Sequence, residues 1–259
     1  MRRRLRSIET RVLPHSWRDV IRQLLLFGAA YALYEIVRGV ADGNPAKAAW
    51  DATKIINFER LLHVFVEPCI QAWVANRHWL MDFTDWMYLN AHYVVTIGAL
   101  VFIYLRRNDS FYFVRNTFMI AMAIALVGYF LYPTAPPRLM PEWGFTDSVR
   151  QFTGVTLESG PTSAFLNFYA AVPSIHVCFA TLIGWPMARL VSPRPAKVAW
   201  LLYPLVISFV VVATGNHYLT DVFLGLLTAG ASAFLADRLF ARARPHAWAF
   251  READARASA

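Results

Sequence analysis

Apolar segments about as long as a lipid bilayer is thick dominate this chain. An α-helix needs roughly 20 mostly apolar residues to cross the hydrocarbon core, because each residue advances the helix by about 1.5 Å. Only 16% of the 259 residues are charged, whereas a soluble domain carries about 25%. We therefore predict an all-α, polytopic membrane bundle of six transmembrane helices. The predicted spans are approximately 24–40, 87–105, 118–132, 173–190, 198–214 and 218–239.

The stretch 61–80 is apolar in places but is interrupted by polar residues, among them Glu67, Pro68 and Arg77. Such a mixture is typical of a helix that lies in the membrane interface. We predict an amphipathic interfacial helix between the first two spans, with a re-entrant segment as the alternative.

Basic residues cluster at the two ends: seven of the 25 Lys and Arg precede residue 23 and five follow residue 237. Cytoplasmic flanks of membrane helices carry this excess of positive charge. Six spans with a cytoplasmic N-terminus place most basic residues inside, whereas a seventh span at 61–80 would move many of them outside. We therefore predict that both termini are cytoplasmic.

The domain organisation follows from the spans, since no repeat or low-complexity linker divides them. We predict a basic cytoplasmic N-terminus at 1–23, a six-helix membrane domain at 24–239 and a cytoplasmic tail at 240–259. Short loops and Arg- and Ala-rich ends favour a bacterial inner membrane, with a eukaryotic secretory membrane as the alternative. The sequence leaves the oligomeric state open.

Composition also bears on partners and cofactors. The basic residues do not alternate with aromatic ones in a patch, so we expect no nucleic-acid partner. The two cysteines, Cys69 and Cys178, lack metal-ligand spacing. We expect no metal and no cofactor, and a membrane lipid as the partner.

This topology brings three polar motifs to the outer face. They are the loop that contains Arg138 after two prolines, the sequence VPSIH at 172–176, and the sequence GNHYLTD at 215–221. Unrelated interface residues have no reason to meet on one side of the membrane. We therefore predict a single site that faces the extracytoplasmic side.

His217 and Asp221 lie four residues apart at the start of the last span. On a helix they share one face, and the carboxylate can then orient the imidazole ring. Ionisable groups at mid-membrane cost roughly 2.5–3.5 kcal/mol or more, so they usually have a function. The alternative is a polar pair that marks the membrane interface.

Arg138, Ser174 and His176 complete the predicted site. A serine at a helix N-terminus favours phosphate binding, and the planar guanidinium of arginine matches phosphate oxygens. The alternatives are a simple helix cap, an interfacial histidine and an arginine that reaches the lipid head groups.

Two histidines, one carboxylate and one arginine fit nucleophilic phosphoryl transfer. One histidine attacks phosphorus and the other protonates the leaving oxygen. The substrate that fits is an anionic phospholipid or lipid phosphate. A non-catalytic anionic-lipid binder or transporter remains as another class, although a binder has no need of a His–Asp pair.

VPSIH and GNHYLTD resemble the second and third signatures of the type 2 phosphatidic acid phosphatase superfamily, which also contains vanadium haloperoxidases. The resemblance implies that His217 is the nucleophile and forms a phosphohistidine, and that Asp221 orients it. It also implies that His176 is the general acid and later the base. Arg138 and Ser174 would hold the phosphate.

Two cations of the superfamily pattern are missing, because Leu131 stands at the lysine position and Val211 at an arginine position. The variant pattern around residues 132–138 and 215–221 is similar to the inositol phosphorylceramide synthase branch. This branch transfers a phosphorylated polar head between lipids.

By this resemblance, Tyr132, Asn216 and Tyr218 supply neutral hydrogen bonds to the phosphate. The function it implies is transfer of a phosphoinositol-like head group between lipids. The alternative is a lipid phosphate or diphosphate phosphatase that uses the same site.

Three further ionisable residues have two interpretations each. We expect Glu59 and Glu67 to be solvated interface charges, with contacts to substrate hydroxyls as the alternative. We expect His92 to be a hydrogen-bonded interior histidine, with a place in the site as the alternative.

Overall fold

The computed structural model describes residues 13–14, 16–40, 44–153 and 169–242. The predicted terminal segments therefore lie mostly outside the described residues. The chain folds as an all-α membrane bundle, as predicted. Its helices are α1 Trp17–Val40, α2 Pro45–Leu61, α3 Glu67–Ala75, α4 His78–Trp86, α5 His92–Arg106, α6 Asn108–Leu131, α7 Ser148–Thr153, α8 Ile175–Leu190, α9 Arg194–Ala213 and α10 Leu219–Ala236.

Five helical segments of the described chain are long and apolar enough to cross a membrane. The remaining predicted span, 173–190, corresponds to α8, which is apolar but has only 16 residues. At about 1.5 Å per residue it reaches about 24 Å, less than the roughly 30 Å hydrocarbon core. The five longer segments are Trp17–Gly39, His78–Arg106, Asn108–Leu131, Arg194–Ala213 and Leu219–Phe240.

The second span begins earlier than predicted, at His78 rather than near residue 87. A π-helical turn, Met87–Ala91, joins α4 to α5 without a break. The apolar pattern is interrupted because α4 contains Asp85, which is buried and accepts a hydrogen bond from Ser148 Oγ at 3.2 Å.

Two short helices, α2 and α3, connect the first two spans. The chain turns between them at His63, whose φ of 57° lies in the left-handed region. Proline stands in the first turn of both helices, where its missing N–H costs nothing. The predicted segment 61–80 thus comprises the end of α2, all of α3 and the start of α4.

The centre of the bundle is formed by α6, α8 and α10, which pack against one another, while α9 packs on α8. Phe118 of α6 and Ile183 of α8 are fully buried in this core. Large apolar residues such as Val94 and Leu205 lie exposed on the outer faces. Apolar side chains on both the inner and outer faces are typical of helices surrounded by lipid.

The beginning of α8 lies directly against α10. The Ser174 N–H donates to the Asp221 carbonyl at 3.1 Å. A Cβ atom on Gly225 would lie 2.5 Å from the Ser174 carbonyl oxygen, so this approach requires glycine. The close contact places the first residues of α8 beside those that precede α10.

Candidate active site

A cavity of about 280 Å³ lies where the end of α6 meets the beginnings of α8 and α10. It brings together residues from all three predicted motifs. Arg138, His176, Asn216 and His217 line it. The clustering expected from the topology is therefore present in the folded chain.

His217 lies just before α10 and is paired with Asp221 on its first turn. The His217 Nδ1 atom is 3.3 Å from Asp221 Oδ2, which also accepts a hydrogen bond from the Tyr218 N–H at 3.0 Å. When the carboxylate accepts a hydrogen bond from Nδ1–H, the free lone pair of the neutral ring lies on Nε2. In this tautomer the Nε2 atom of His217 can act as a nucleophile.

His176 faces His217, with 5.8 Å between the two ring centroids. The His176 Nδ1 atom is buried and has no hydrogen-bond partner among the described residues. Its ring packs against Tyr88 and His92, at centroid distances of 4.7 and 5.2 Å. Aromatic packing therefore fixes this ring while its nitrogen stays available.

His92 itself does not line the cavity. It is buried, and its Nδ1 atom lies 3.3 Å from the Tyr203 hydroxyl. This arrangement agrees with the expected hydrogen-bonded interior histidine. Its effect on the site is exerted through its contact with the His176 ring.

Arg138 is fixed at the cavity by its backbone and its side chain. Its N–H donates to the Gly215 carbonyl at 2.8 Å, and its Nε donates to Asn216 Oδ1 at 3.0 Å. Its Nη1 atom is buried without a hydrogen-bond partner in the described part of the chain. A fixed guanidinium with an unsatisfied donor is suited to bind an anion.

The turn before His217 depends on a glycine. Gly215 has φ of 67°, and a Cβ atom there would lie 2.5 Å from the Gln71 side-chain nitrogen. Gln71 is itself fixed, because its amide accepts from the Thr146 N–H and donates to the Thr146 carbonyl. Glycine is required here both by the left-handed backbone and by the lack of space.

Three predicted phosphate-binding residues are not brought to the cavity. Ser174 is fully buried, and its Oγ accepts a hydrogen bond from the Val177 N–H at 3.5 Å. The Tyr132 hydroxyl donates to the Asp51 carbonyl and the Tyr218 hydroxyl to the Ala135 carbonyl. These polar atoms already bind protein groups. Burial also raises the pKa of Tyr218, which keeps its hydroxyl protonated.

Glu59 and Glu67 cap the first turn of α10. Glu59 Oε1 accepts from both the Thr220 N–H and Thr220 Oγ1 at 2.7 Å, and Glu67 Oε1 accepts from the Leu219 N–H at 2.9 Å. They are only 1% and 0% exposed, so the expected solvated charge is wrong. Neither residue lines the cavity. Both satisfy N–H groups that a helix start leaves without partners.

The two carboxyl groups also interact with each other. Burial and the facing Glu67 raise the pKa of Glu59 from 4.5 to about 8. The Oε2 atom of each residue is buried without a hydrogen-bond partner among the described residues. Since two buried carboxylates repel, one of them holds a proton at neutral pH.

The sequence analysis missed several residues that line the cavity. Arg38, in the last turn of α1, is the most notable, because it carries charge at the end of an apolar span. Tyr88, Tyr93 and Tyr129 also line the cavity. An ionisable residue in a membrane span was the signal that could have identified Arg38.

The side chains of the described residues offer no cluster of three or more His, Cys, Asp or Glu arranged to hold a metal ion. The polar side chains at the cavity are instead those of two arginines, one asparagine, two histidines and three tyrosines. This set suits an anionic group rather than a metal cation. That no metal or cofactor takes part stays a prediction.

Comparison with known proteins identifies the family. The family model described as PAP2 superfamily matches residues 53–235, which include Arg138, His176, His217 and Asp221. The chain therefore belongs to the PAP2 superfamily, and it is an integral membrane enzyme of the phosphotransferase or phosphatase type. The resemblance found in the motifs is confirmed.

One curated relative is named phosphoinositol dihydroceramide synthase and comes from Bacteroides thetaiotaomicron. It is 24% identical to this chain over 230 residues, which cover 78% of this chain and 70% of the relative. No solved structure matches the chain.

Proposed function

We propose that this enzyme transfers a phosphorylated polar head group, of the phosphoinositol type, from one membrane lipid to another. The single observation that supports it most is the His217–Asp221 pair, which faces His176 across a cavity that also holds the unpartnered Arg138 Nη1. A nucleophile, an acid and an anion-binding group thus surround one space.

In the first step, His217 Nε2 attacks the phosphorus of the donor lipid. The bond from phosphorus to the lipid oxygen breaks, and His176 gives its proton to that oxygen. Arg138 binds the non-bridging oxygens, where negative charge concentrates during transfer. Asp221 stabilises the positive charge that develops on the imidazole. The product is a head group linked to His217 through phosphorus, plus a neutral lipid alcohol.

In the second step, the hydroxyl of an acceptor lipid attacks the same phosphorus. Its proton goes to His176, now acting as base, and the bond from phosphorus to His217 breaks. Both histidines return to their starting protonation states. If water attacks in place of the lipid hydroxyl, the same site becomes a phosphatase.

Two observations support transfer over hydrolysis. The relative from Bacteroides thetaiotaomicron is named as a synthase. The site also departs from the general superfamily pattern, since Leu131 and Val211 stand where cations are usual. A site adapted in this way fits a particular head group better than a range of lipid phosphates.

The test is a product assay with purified enzyme in lipid vesicles. The donor is phosphatidylinositol labelled in its phosphate, and the acceptor is a ceramide. We expect labelled product lipid and diacylglycerol to appear in equal amounts. Release of water-soluble label without a labelled product lipid would show a hydrolase instead.

We also propose that the site faces the extracytoplasmic side of a bacterial inner membrane and that both termini are cytoplasmic. The clustering of Lys and Arg at the chain ends supports this orientation. Single cysteines at Glu142 and Asp109, two exposed positions near opposite ends of the bundle, test it in a Cys69→Ser background. An impermeant maleimide should label Glu142→Cys in intact spheroplasts and Asp109→Cys only after permeabilisation. The reverse pattern would invert the topology.

A further inference from the structure

One residue that lines the cavity comes from α1, which lies outside the part of the chain that matches the family model. The match begins at residue 53, whereas α1 ends at Val40. Arg38, in the last turn of α1, lines the same cavity as Arg138, His176 and His217. Its guanidinium also interacts electrostatically with His176. A second permanent positive charge is therefore present at the site.

Packing between α1 and α6 determines where Arg38 lies. The Tyr34 hydroxyl is 3.4 Å from the Tyr129 hydroxyl, which in turn donates to the Pro173 carbonyl at 3.3 Å. The Arg38 guanidinium lies over the Tyr34 ring, 5.8 Å from its centroid. This connected set of contacts fixes the end of α1 against the beginning of α8, where His176 lies.

The positions at which the superfamily pattern carries cations contribute none here. Leu131 is 73% exposed on the outside of the bundle, and Val211 is fully buried in an apolar cluster. Neither side chain lines the cavity. Among the cavity-lining residues that the structure describes, Arg38 and Arg138 carry the permanent positive charge.

Arg38 already has protein partners, because it forms an ion pair with Glu35 and its guanidinium lies over the Tyr34 ring. Arg38 Nη1 lies 3.3 Å from Glu35 Oε1, and the two side chains are 18% and 25% exposed. A strong charged hydrogen bond is shorter, about 2.7–2.9 Å. Glu35 is not among the residues that line the cavity. An anion in the cavity can therefore compete for the guanidinium.

We propose that Arg38 binds the phosphate of the lipid substrate as a second cation beside Arg138. It takes over, from a different helix, the role of the cations absent at positions 131 and 211. The ligand is a phosphate group carried by a lipid. During the transfer reaction, two or more of its oxygens carry negative charge. This inference rests on the function proposed above and adds a substrate-binding residue to it.

The two arginines approach the phosphate from separate elements, α1 and the 3₁₀ turn at Pro137–Leu139. A guanidinium offers two parallel donors to phosphate, which a single lysine cannot reproduce. Loss of one charged hydrogen-bonding group of this kind weakens binding by about 10- to 100-fold.

The experiment measures binding of inorganic orthovanadate, a phosphate mimic, to the purified detergent-solubilised protein by calorimetry. The variants are Arg38→Gln and, as the matched control, Glu35→Gln, which removes only the ion-pair partner. We expect the dissociation constant to rise about 10- to 100-fold in Arg38→Gln and to stay within about 2-fold in Glu35→Gln. Thermal unfolding of each variant verifies the fold.

Unchanged affinity in Arg38→Gln would overturn the inference. Equal losses of affinity in Arg38→Gln and Glu35→Gln would also overturn it, because they would show that Arg38 acts only as the ion-pair partner of Glu35. If Arg38→Gln does not fold, Arg38→Met, which keeps the aliphatic stem over Tyr34, is measured in its place against the same criteria. A wild-type protein that binds orthovanadate but turns over no lipid would contradict the proposed function while leaving the binding test intact.

Discussion

The two sides of the first turn of α10 differ in how their polar atoms are used. On the cavity side, Arg138 Nη1 and His176 Nδ1 are buried without hydrogen-bond partners in the described residues. On the opposite side, the N–H groups of Leu219 and Thr220 are bound by Glu67 and Glu59. Buried donors and acceptors at the cavity thus lack protein partners among the described residues, whereas on the opposite side the N–H groups of the helix start are satisfied.

This difference distinguishes the residues that we expect to take part in the reaction from those that hold the helix in place. Buried polar groups without partners are costly and rare, so a cluster of them around a cavity indicates a ligand site. Buried carboxylates that satisfy a helix start fix the helix, and with it the backbone on either side of His217. Substitutions on the cavity side should therefore change the reaction, and those on the opposite side should change stability.

The largest effect on the cavity side is expected for Asp221→Asn. The amide no longer holds the His217 proton on Nδ1 or balances the charge that forms on the ring. We expect kcat to fall by about 10²- to 10⁴-fold, with little change in KM. Steady-state head-group transfer measures this loss. Activity above half of the wild-type value would remove Asp221 from the reaction.

The effect of His176→Gln should depend on the leaving group. A general acid contributes about 10²- to 10⁴-fold when the leaving oxygen is a poor leaving group such as a lipid alcohol. With a nitrophenyl ester of the same phosphorylated head group, the formation of the intermediate should be much less impaired. Burst kinetics with the two donors provide the comparison.

His92→Gln is the matched control, because His92 touches the His176 ring without lining the cavity. It should not show the dependence on the leaving group. An equal loss of burst rate for both donors in His176→Gln would contradict the assignment of His176 as the acid.

On the side opposite the cavity, Glu59→Gln should have the smallest effect on the reaction, because the amide oxygen of glutamine can still accept the hydrogen bonds from Thr220. Because folding raises the pKa of Glu59 from 4.5 to about 8, the folded protein binds this proton more tightly than the unfolded chain. This contribution to stability is complete below pH 4.5 and is lost as the pH rises through about 8. Glu59→Gln should flatten the fall in melting temperature between these values.

Thermal unfolding at a series of pH values measures that slope. The control is Glu142→Gln, which removes an exposed acid and should leave the slope as in the wild type. If Glu59→Gln and wild type lose stability equally as the pH rises, the raised pKa of Glu59 is contradicted.

The features that the sequence predicted best depend on residues that are close together in the chain. Apolar length identified the membrane bundle, and the four-residue spacing of His217 and Asp221 identified a pair that lies in contact. The resemblance extended these local motifs to the family. The sequence also assigned Arg138 and His176 to one site. Arg138 follows two prolines, and His176 lies at a predicted helix start.

Features that depend on distant packing could not be predicted. Glu59 and Glu67 bind residues 161 and 152 positions away, and no local pattern marks such a pairing. The hydroxyls of Tyr132 and Tyr218 were expected at the phosphate, but backbone carbonyls of other segments bind them. The charge of Arg38 in an apolar span is a local signal, but its place at the site depends on the packing of α1 against α6.

The central claim is that His217 carries the head group during transfer, and trapping the intermediate tests it most directly. Wild-type enzyme is mixed with phosphate-labelled donor lipid in the absence of acceptor, denatured in alkali, and analysed by peptide mass spectrometry. We expect label on His217, stable in base and lost in acid, and none in His217→Asn. Label retained in His217→Asn, or found on another residue, would contradict the account.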